Sequence, residues 1–177
     1  MGALCALSLL ATTTLPAHAD ELPRLRLSTR GDRQEATAPS QSTNPPAAPS
    51  EPSVGGRIAE RALAFIGSPY AWGGASPVTG FDCSGFVQWV LGQVGIQPGR
   101  VVWAQYQRGR AIPAGELQPG DLVFFANTYT SGLSHVGIYV GDGHFVDAGT
   151  ERTGVRRASI GDPYWAARFV GARRFPG

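Results

Sequence analysis

The spacing of apolar residues changes along the chain, and each change marks a different kind of element. From Arg57, the residues Ile58, Ala62, Phe65 and Ile66 recur at helical intervals, and Gly67 supplies a stop. A turn-rich aromatic loop follows, Ser68-Pro69-Tyr70-Ala71-Trp72-Gly73-Gly74. A second helix is predicted from Asp82, with Phe86, Val87, Val90, Leu91 and Val94 on one face and Gly95 at its end. Val102 to Arg108 suits a short third helix. Beyond the turn Leu117-Gln118-Pro119-Gly120-Asp121 the pattern becomes that of strands: Leu122–Ala126, His135–Val140, Phe145–Ala148, Gly154–Ala158 and Phe169–Phe175, with a helical turn over Asp162–Ala167. Helices first and an antiparallel meander after predict an α+β domain, with N-terminal helices packed on a small antiparallel sheet.

Upstream of Arg57 the pattern is absent. Asp20 to Gly56 is rich in Pro, Ser, Thr, Ala and Gln, and Asn44-Pro45-Pro46-Ala47-Ala48-Pro49 suits neither a helix nor a central strand. Too little apolar surface is present to offset the entropy of ordering it, so residues 20–56 are expected to be a disordered linker. Residues 1–19 carry no charge, contain an apolar run from Leu4 to Leu10, and end Ala17-His18-Ala19. They are read as a signal peptide, which predicts an exported protein, periplasmic or extracellular in the cell wall. The run is too short for a membrane-spanning helix, so no integral segment is expected in the mature chain. Cys5 is a poor match to a lipidation site. Residues 57–177 are then the functional domain.

Composition narrows the classes. With 177 residues and 42% hydrophobic content the chain can build one ordinary core. The net charge is +2, every basic residue is Arg, and no basic stripe is visible, which argues against a nucleic-acid partner. Two cysteines are present, and removal of the leader would take Cys5 and leave Cys83 alone, without a disulfide partner. A lone cysteine is either an inert, buried apolar residue or a reactive thiol.

The surroundings of Cys83 favour reactivity. In Phe81-Asp82-Cys83-Ser84-Gly85-Phe86 a helix starting at Asp82 places Cys83 in its first turn, where unpaired N–H groups favour a thiolate. A proton acceptor must come from His135 or His144. With Gly141-Asp142-Gly143 as a three-residue loop, Val140 pairs with His144 and Gly137 with Asp147. His135, Gly137 and Asp147 then share one face, with Asp147 diagonal to His135, while Val136, Ile138 and Val146 share the face that suits a core; a two-residue turn would put Asp147 on the wrong face. His144 falls at the rim of that second face. A Cys83–His135–Asp147 set follows, with His135 as base and Asp147 orienting its ring. On the pattern alone, a satisfied strand histidine, an exposed carboxylate at Asp147 and a zinc site remain open; no paired ligand spacing supports the last.

Four segments in order, Gly67–Gly74, Phe81–Val87, Gln118–Phe125 and Ser134–Gly141, resemble the successive signatures of NlpC-type cell-wall cysteine peptidases. The resemblance runs from Arg57 to Phe175 and includes Pro163-Tyr164-Trp165 and Ala172-Arg173-Arg174 near the end. It implies a papain-like fold without metal or organic cofactor. It also implies hydrolysis of peptide bonds in peptidoglycan stems, commonly the bond between D-glutamate and a diamino acid. By resemblance Cys83 is the nucleophile, His135 the base and Asp147 the third polar group. Tyr70 holds substrate or oxyanion beside the nucleophile, and Asp82 and Ser84 match positions that receive the amine of a free stem terminus.

Two features depart from that pattern: Asp147 stands where His is common, and Pro98-Gly99-Arg100-Val101-Val102 replaces the usual run after the nucleophile helix. Core packing for Tyr70 and Trp72, and helix capping for Asp82, are the plainer alternatives. For the whole domain the alternatives are a non-catalytic wall-binding domain, and an amidase or acyltransferase on a non-peptide substrate. A monomer is expected, with stem peptides as its partner.

Overall fold

A computed structural model describes residues 51–177; the expected signal peptide and nearly all of the expected linker lie outside them. Helix α1 (Val54–Ala64) begins earlier than the apolar pattern indicates, because Ser53 caps it: its Oγ accepts the Gly56 N–H at 3.0 Å. Gly55 and Gly56 add no apolar signal, and a side chain on Gly55 would overlap the Pro119 carbonyl. The helix buries Ile58, Ala59 and Ala62 and ends ahead of Phe65, leaving Ile66 exposed in the following turn.

A short hairpin, β1 (Ala75–Ser76) and β2 (Gly80–Phe81), leads into α2 (Cys83–Gly92). After α3 (Val102–Gln107) come β3 (Arg110–Ile112), a 3₁₀ turn at Ala114–Glu116, β4 (Leu122–Ala126), β5 (Leu133–Gly141), β6 (His144–Ala148) and β7 (Val155–Ser159). The one-turn helix α4 (Pro163–Ala166) precedes the final strand β8 (Phe169–Arg174). The larger sheet has six strands in the order β3-β8-β4-β5-β6-β7, and its paired neighbours are antiparallel. The α+β expectation therefore holds, with α1, α2 and α3 on one face of the sheet and α4 on the other.

Strand alternation divides the interior in two. On the helix face, Ile58, Phe86, Val90 and Leu91 pack with Phe124, Val136, Ile138 and Val146. On the opposite face Val123, Phe125, Phe145 and Ala172 gather around Trp165 of α4. Each fully buried phenylalanine contributes about 1.5–3 kcal/mol by leaving water. Where β8 crosses β4, Arg174 donates through Nε and Nη2 to the two oxygens of buried Asp121 at 2.7 and 2.8 Å. This fork-to-fork pair fixes a carboxylate that burial would otherwise penalise.

The β5–β6 register matches the expectation along the strands and differs at the tip. Ile138 pairs with Val146 and Tyr139 with Phe145, but Gly141, not Val140, pairs with His144. The connection is a two-residue Asp142-Gly143 turn with a bulge beside it, and Gly141, Asp142 and Gly143 all take positive φ. The bulge absorbs the extra residue, so the parity of His135 and Asp147 survives.

Candidate active site

Cys83 owes its position to Asp82. The Asp82 Oδ1 accepts the Gly85 N–H at 2.7 Å, which caps α2 and makes Cys83 its first residue. The loop before the helix is knitted to the same point. Asp82 N–H donates to the Gly74 carbonyl, Ala71 N–H to Phe81, and Phe81 N–H to Pro69, each at 3.0 Å. Gly85 and Gly74 approach so closely that a methyl group on Gly85 would overlap the Gly74 carbonyl oxygen.

His135 and Asp147 arise from the opposite side of the sheet. Phe125 of β4 is the direct cross-strand partner of His135, and Asp147 lies on β6, fully buried. His135 Nε2 and Asp147 Oδ2 are 2.7 Å apart, the ring donating to the carboxylate. The expected reach of Asp147 to His135 is thus realised in the fold. Cys83 and His135 face one cleft of about 500 Å³, together with Tyr70, Trp72, Asp82 and Ser84.

Burial pushes the His135 imidazolium down. Its hydrogen bond to Asp147 and the nearness of the Cys83 sulfur, with the charges of both, more than reverse this and raise the pKa to about 9. The structure thus presents an His135–Asp147 pair with Cys83 beside it in the cleft. His144 stands apart, half-exposed at the hairpin end, with Nδ1 2.7 Å from the Asp142 carbonyl oxygen.

Tyr70 is half-buried against the core and joined to Phe81 by an isolated bridge. Burial first, then the neighbouring Cys83 and Asp82 charges, raise its pKa, so its hydroxyl keeps its proton and can donate. Trp72 does not pack in the core: it is 71% exposed and meets Tyr129 edge-to-face at 5.5 Å. Asp82 and Ser84 line the cleft, but Arg100 already engages both. Its Nη1 donates to Asp82 Oδ1 at 3.0 Å and to Ser84 Oγ at 3.1 Å, and its Nη2 to Asp82 Oδ2 at 2.7 Å. Hydrogen bonding to Asp82 is the main reason the Arg100 pKa is raised. The departure at residues 98–102 therefore builds a charged wall.

Two supporting residues were not anticipated from the sequence. Trp165 stacks on the His135 ring, and Gln105 of α3, fully buried, donates to the carbonyls of Ser84 and Gly99 at 2.8 and 2.9 Å, tying α2 to the Arg100 segment. The fully buried Gln105 was the findable one, since an amide on a short apolar helix needs internal partners.

A profile of the NlpC/P60 family matches residues 67–174. Over 119 residues the chain is 40% identical to a γ-DL-glutamyl hydrolase of Bacillus subtilis (strain 168), covering 67% of this chain and 29% of that protein. Over 112 residues it is 42% identical to the murein DD-endopeptidase MepH of Escherichia coli (strain K12), covering 62% of this chain and 41% of that one. The chain thus spans less than half the length of either relative. Among solved structures, the NlpC/p60 domain of the peptidoglycan hydrolase SagA superposes with a TM-score of 0.59 at 34% identity, covering 68% of this chain and 98% of that one. An NlpC/P60 protein from Bacillus cereus ATCC 10987 gives a TM-score of 0.64 at 32% identity, covering 70% and 41%.

Proposed function

The chain belongs to the NlpC/P60 family, and on that premise we propose that it is an exported cysteine peptidase that hydrolyses peptide bonds in peptidoglycan stems. The observation that carries this reading is the His135–Asp147 pair, 2.7 Å apart, opening on the cleft that holds Cys83 at a helix N-terminus. His135 takes the Cys83 thiol proton, giving a thiolate beside an imidazolium, a charge placement that the N–H groups of the first helical turn also favour. Cys83 Sγ attacks the amide carbonyl carbon. The first-turn N–H of Cys83 and the Tyr70 hydroxyl stabilise the oxyanion. The leaving amine takes its proton from His135 as the C–N bond breaks, which leaves a thioester. Water, deprotonated by His135, then releases the acyl group and restores the thiol. Asp147 holds the ring with one nitrogen toward the cleft.

For the scissile bond, we read the one between D-glutamate and a diamino acid. The γ-DL-glutamyl hydrolase and the bifunctional muramidase/DL-endopeptidase CwlT of Bacillus subtilis support it by name. A DD bond is the second reading, supported by the likeness to MepH. Asp82 and Ser84 belong to the substrate wall in this scheme. An incoming amine must share the Asp82 carboxylate with Arg100.

The test is mass spectrometry of purified peptidoglycan incubated with the protein and with Cys83→Ala. New stem fragments from the wild type alone are expected, and their masses name the bond. Intact stems with a reactive Cys83 thiol would turn the reading to acyl transfer or an amidase on another substrate. Intact stems with an inert thiol would turn it to a wall-binding domain.

A further inference from the structure

The Asp147 carboxylate has two oxygens, and His135 uses only one. Oδ1 is buried and has no hydrogen-bond partner among the described residues. Directly across the β6–β7 ladder from Asp147 stands Arg156, whose Nε lies 3.4 Å from that oxygen. The Arg156 Nε is itself buried without a hydrogen bond among the same residues. A buried acceptor and a buried donor, each unsatisfied and facing one another just beyond hydrogen-bond distance, constitute a contact that a small rotation completes.

The surroundings make room for that contact. Gly149, beyond the end of β6, leaves open the space where a Cβ would come within 2.9 Å of Arg156 Nε. The guanidinium carbon lies 5.8 Å from the Trp165 ring centroid, and the same indole carries the His135 ring. Arg156, Asp147, His135 and Trp165 therefore form a closed ring of contacts. Arg156 is absent from the lining of the cleft that holds Cys83, so any influence on the chemistry passes through Asp147.

We propose that Arg156 is a positioning residue for the reaction, holding the second oxygen of Asp147 so that the first stays fixed on His135. This rests on the cysteine-peptidase reading. The ionisable groups facing Asp147 are His135 on β5 and Arg156 on β7, and those acting on His135 are Asp147 and Cys83 on α2. The positive charge of Arg156 balances part of the carboxylate charge that draws a proton onto His135. Without it the carboxylate acts on His135 alone, and the imidazolium persists to higher pH.

The test follows His135 directly and catalysis in parallel. Imidazole resonances are titrated by NMR in the wild type, Arg156→Met and Arg156→Lys, with His135 assigned by its loss in His135→Gln. Cleavage of purified stem peptides is measured over the same pH range, and melting curves confirm folding. Arg156→Met is expected to raise the His135 midpoint, to move the alkaline limb of kcat/KM with it, and to lower kcat roughly tenfold with little change in KM; that is a fraction of the ~10²–10⁴-fold a positioned acid–base group supplies. Arg156→Lys is expected to restore the midpoint while recovering only part of kcat. A His135 titration identical in all three proteins overturns the proposal, including the case in which Arg156→Met merely melts earlier. An inactive wild type whose His135 midpoint still shifts in Arg156→Met would refute the peptidase reading and leave the positioning contact standing.

Discussion

The imidazole of His135 lies flat on the indole of Trp165, with ring centroids 5.2 Å apart and planes 25° apart. Trp165 is itself wedged against Phe125 and Phe145, at 4.7 and 5.2 Å between centroids. The orientation of the proposed base is thus set by an aromatic stack as well as by Asp147. Trp165→Ala is expected to cost about 3–5 kcal/mol of stability through the cavity it leaves. Trp165→Phe, which keeps an aromatic surface, is expected to cost less and to retain more of kcat. Urea melts paired with steady-state rates check this; equal rates in both variants would show that the stack does not orient the base.

Asp147→Asn keeps the size of the side chain and removes its charge. The His135 pKa, about 9 in the wild type, is expected to fall toward the ordinary histidine value near 6.5. The imidazolium would then be lost at neutral pH and kcat/KM at pH 8 would drop, by about two orders of magnitude if His135 is the acid–base group. An NMR titration of the ring, read beside the rate, separates a lost charge from a lost fold.

Stability should depend on pH through the same group. Because the folded pKa of His135 lies above its unfolded value, its contribution is fully present below about pH 6.5 and is lost as pH rises through about 9. Urea midpoints are expected to decline across that window in the wild type. The decline should flatten in His135→Gln.

Gly85→Ala is expected to be strongly destabilising, because the added methyl meets a backbone oxygen of Gly74 that its own hydrogen bond holds in place. Overpacking of this kind costs about 1–3 kcal/mol. Circular dichroism melts give the stability, and thiol labelling of the folded fraction reports whether Cys83 has moved. Unchanged melting would show that the loop can yield.

Arg100 occupies both oxygens of Asp82. Arg100→Ala frees a carboxylate at the cleft wall, and the ratio of kcat/KM for stems with a free amine to stems with a blocked one is expected to rise severalfold. The increase should disappear in the double variant with Asp82→Asn. A ratio unchanged by Arg100→Ala would place the amine elsewhere.

The helices and strands that carry the site were legible because each buries one face, and burial writes a period into the sequence. The His135–Asp147 pairing was legible for the same reason: a strand has a period of two, and the bulge beside the two-residue β5–β6 turn supplies the extra residue that keeps the expected parity. The first turn of α1 was hidden because its glycines add no apolar signal, and β3 because its first two residues are exposed. The β1–β2 hairpin is two short pairs held by the loop around them. Trp165 and Arg156 required knowing how β7 and α4 return to the sheet. The Arg156 part of that was within reach, since extending the register by one strand sets it opposite Asp147.

The stretch from Pro69 to Phe86 is fastened largely by main-chain hydrogen bonds and by the Gly74–Gly85 approach, with few of its outward side chains taking part. Val78, at the tip of the hairpin, is 91% exposed. Val78 can therefore be replaced without disturbing the backbone that holds Cys83, whereas Ser76 and Thr79, whose hydroxyls hydrogen-bond each other at 2.8 Å, fasten the turn. Trp72, which the same loop presents to the cleft, is also largely exposed, so a side chain of the cleft wall can change while the backbone under Cys83 stays in place, which separates what the cleft admits from where its sulfur sits.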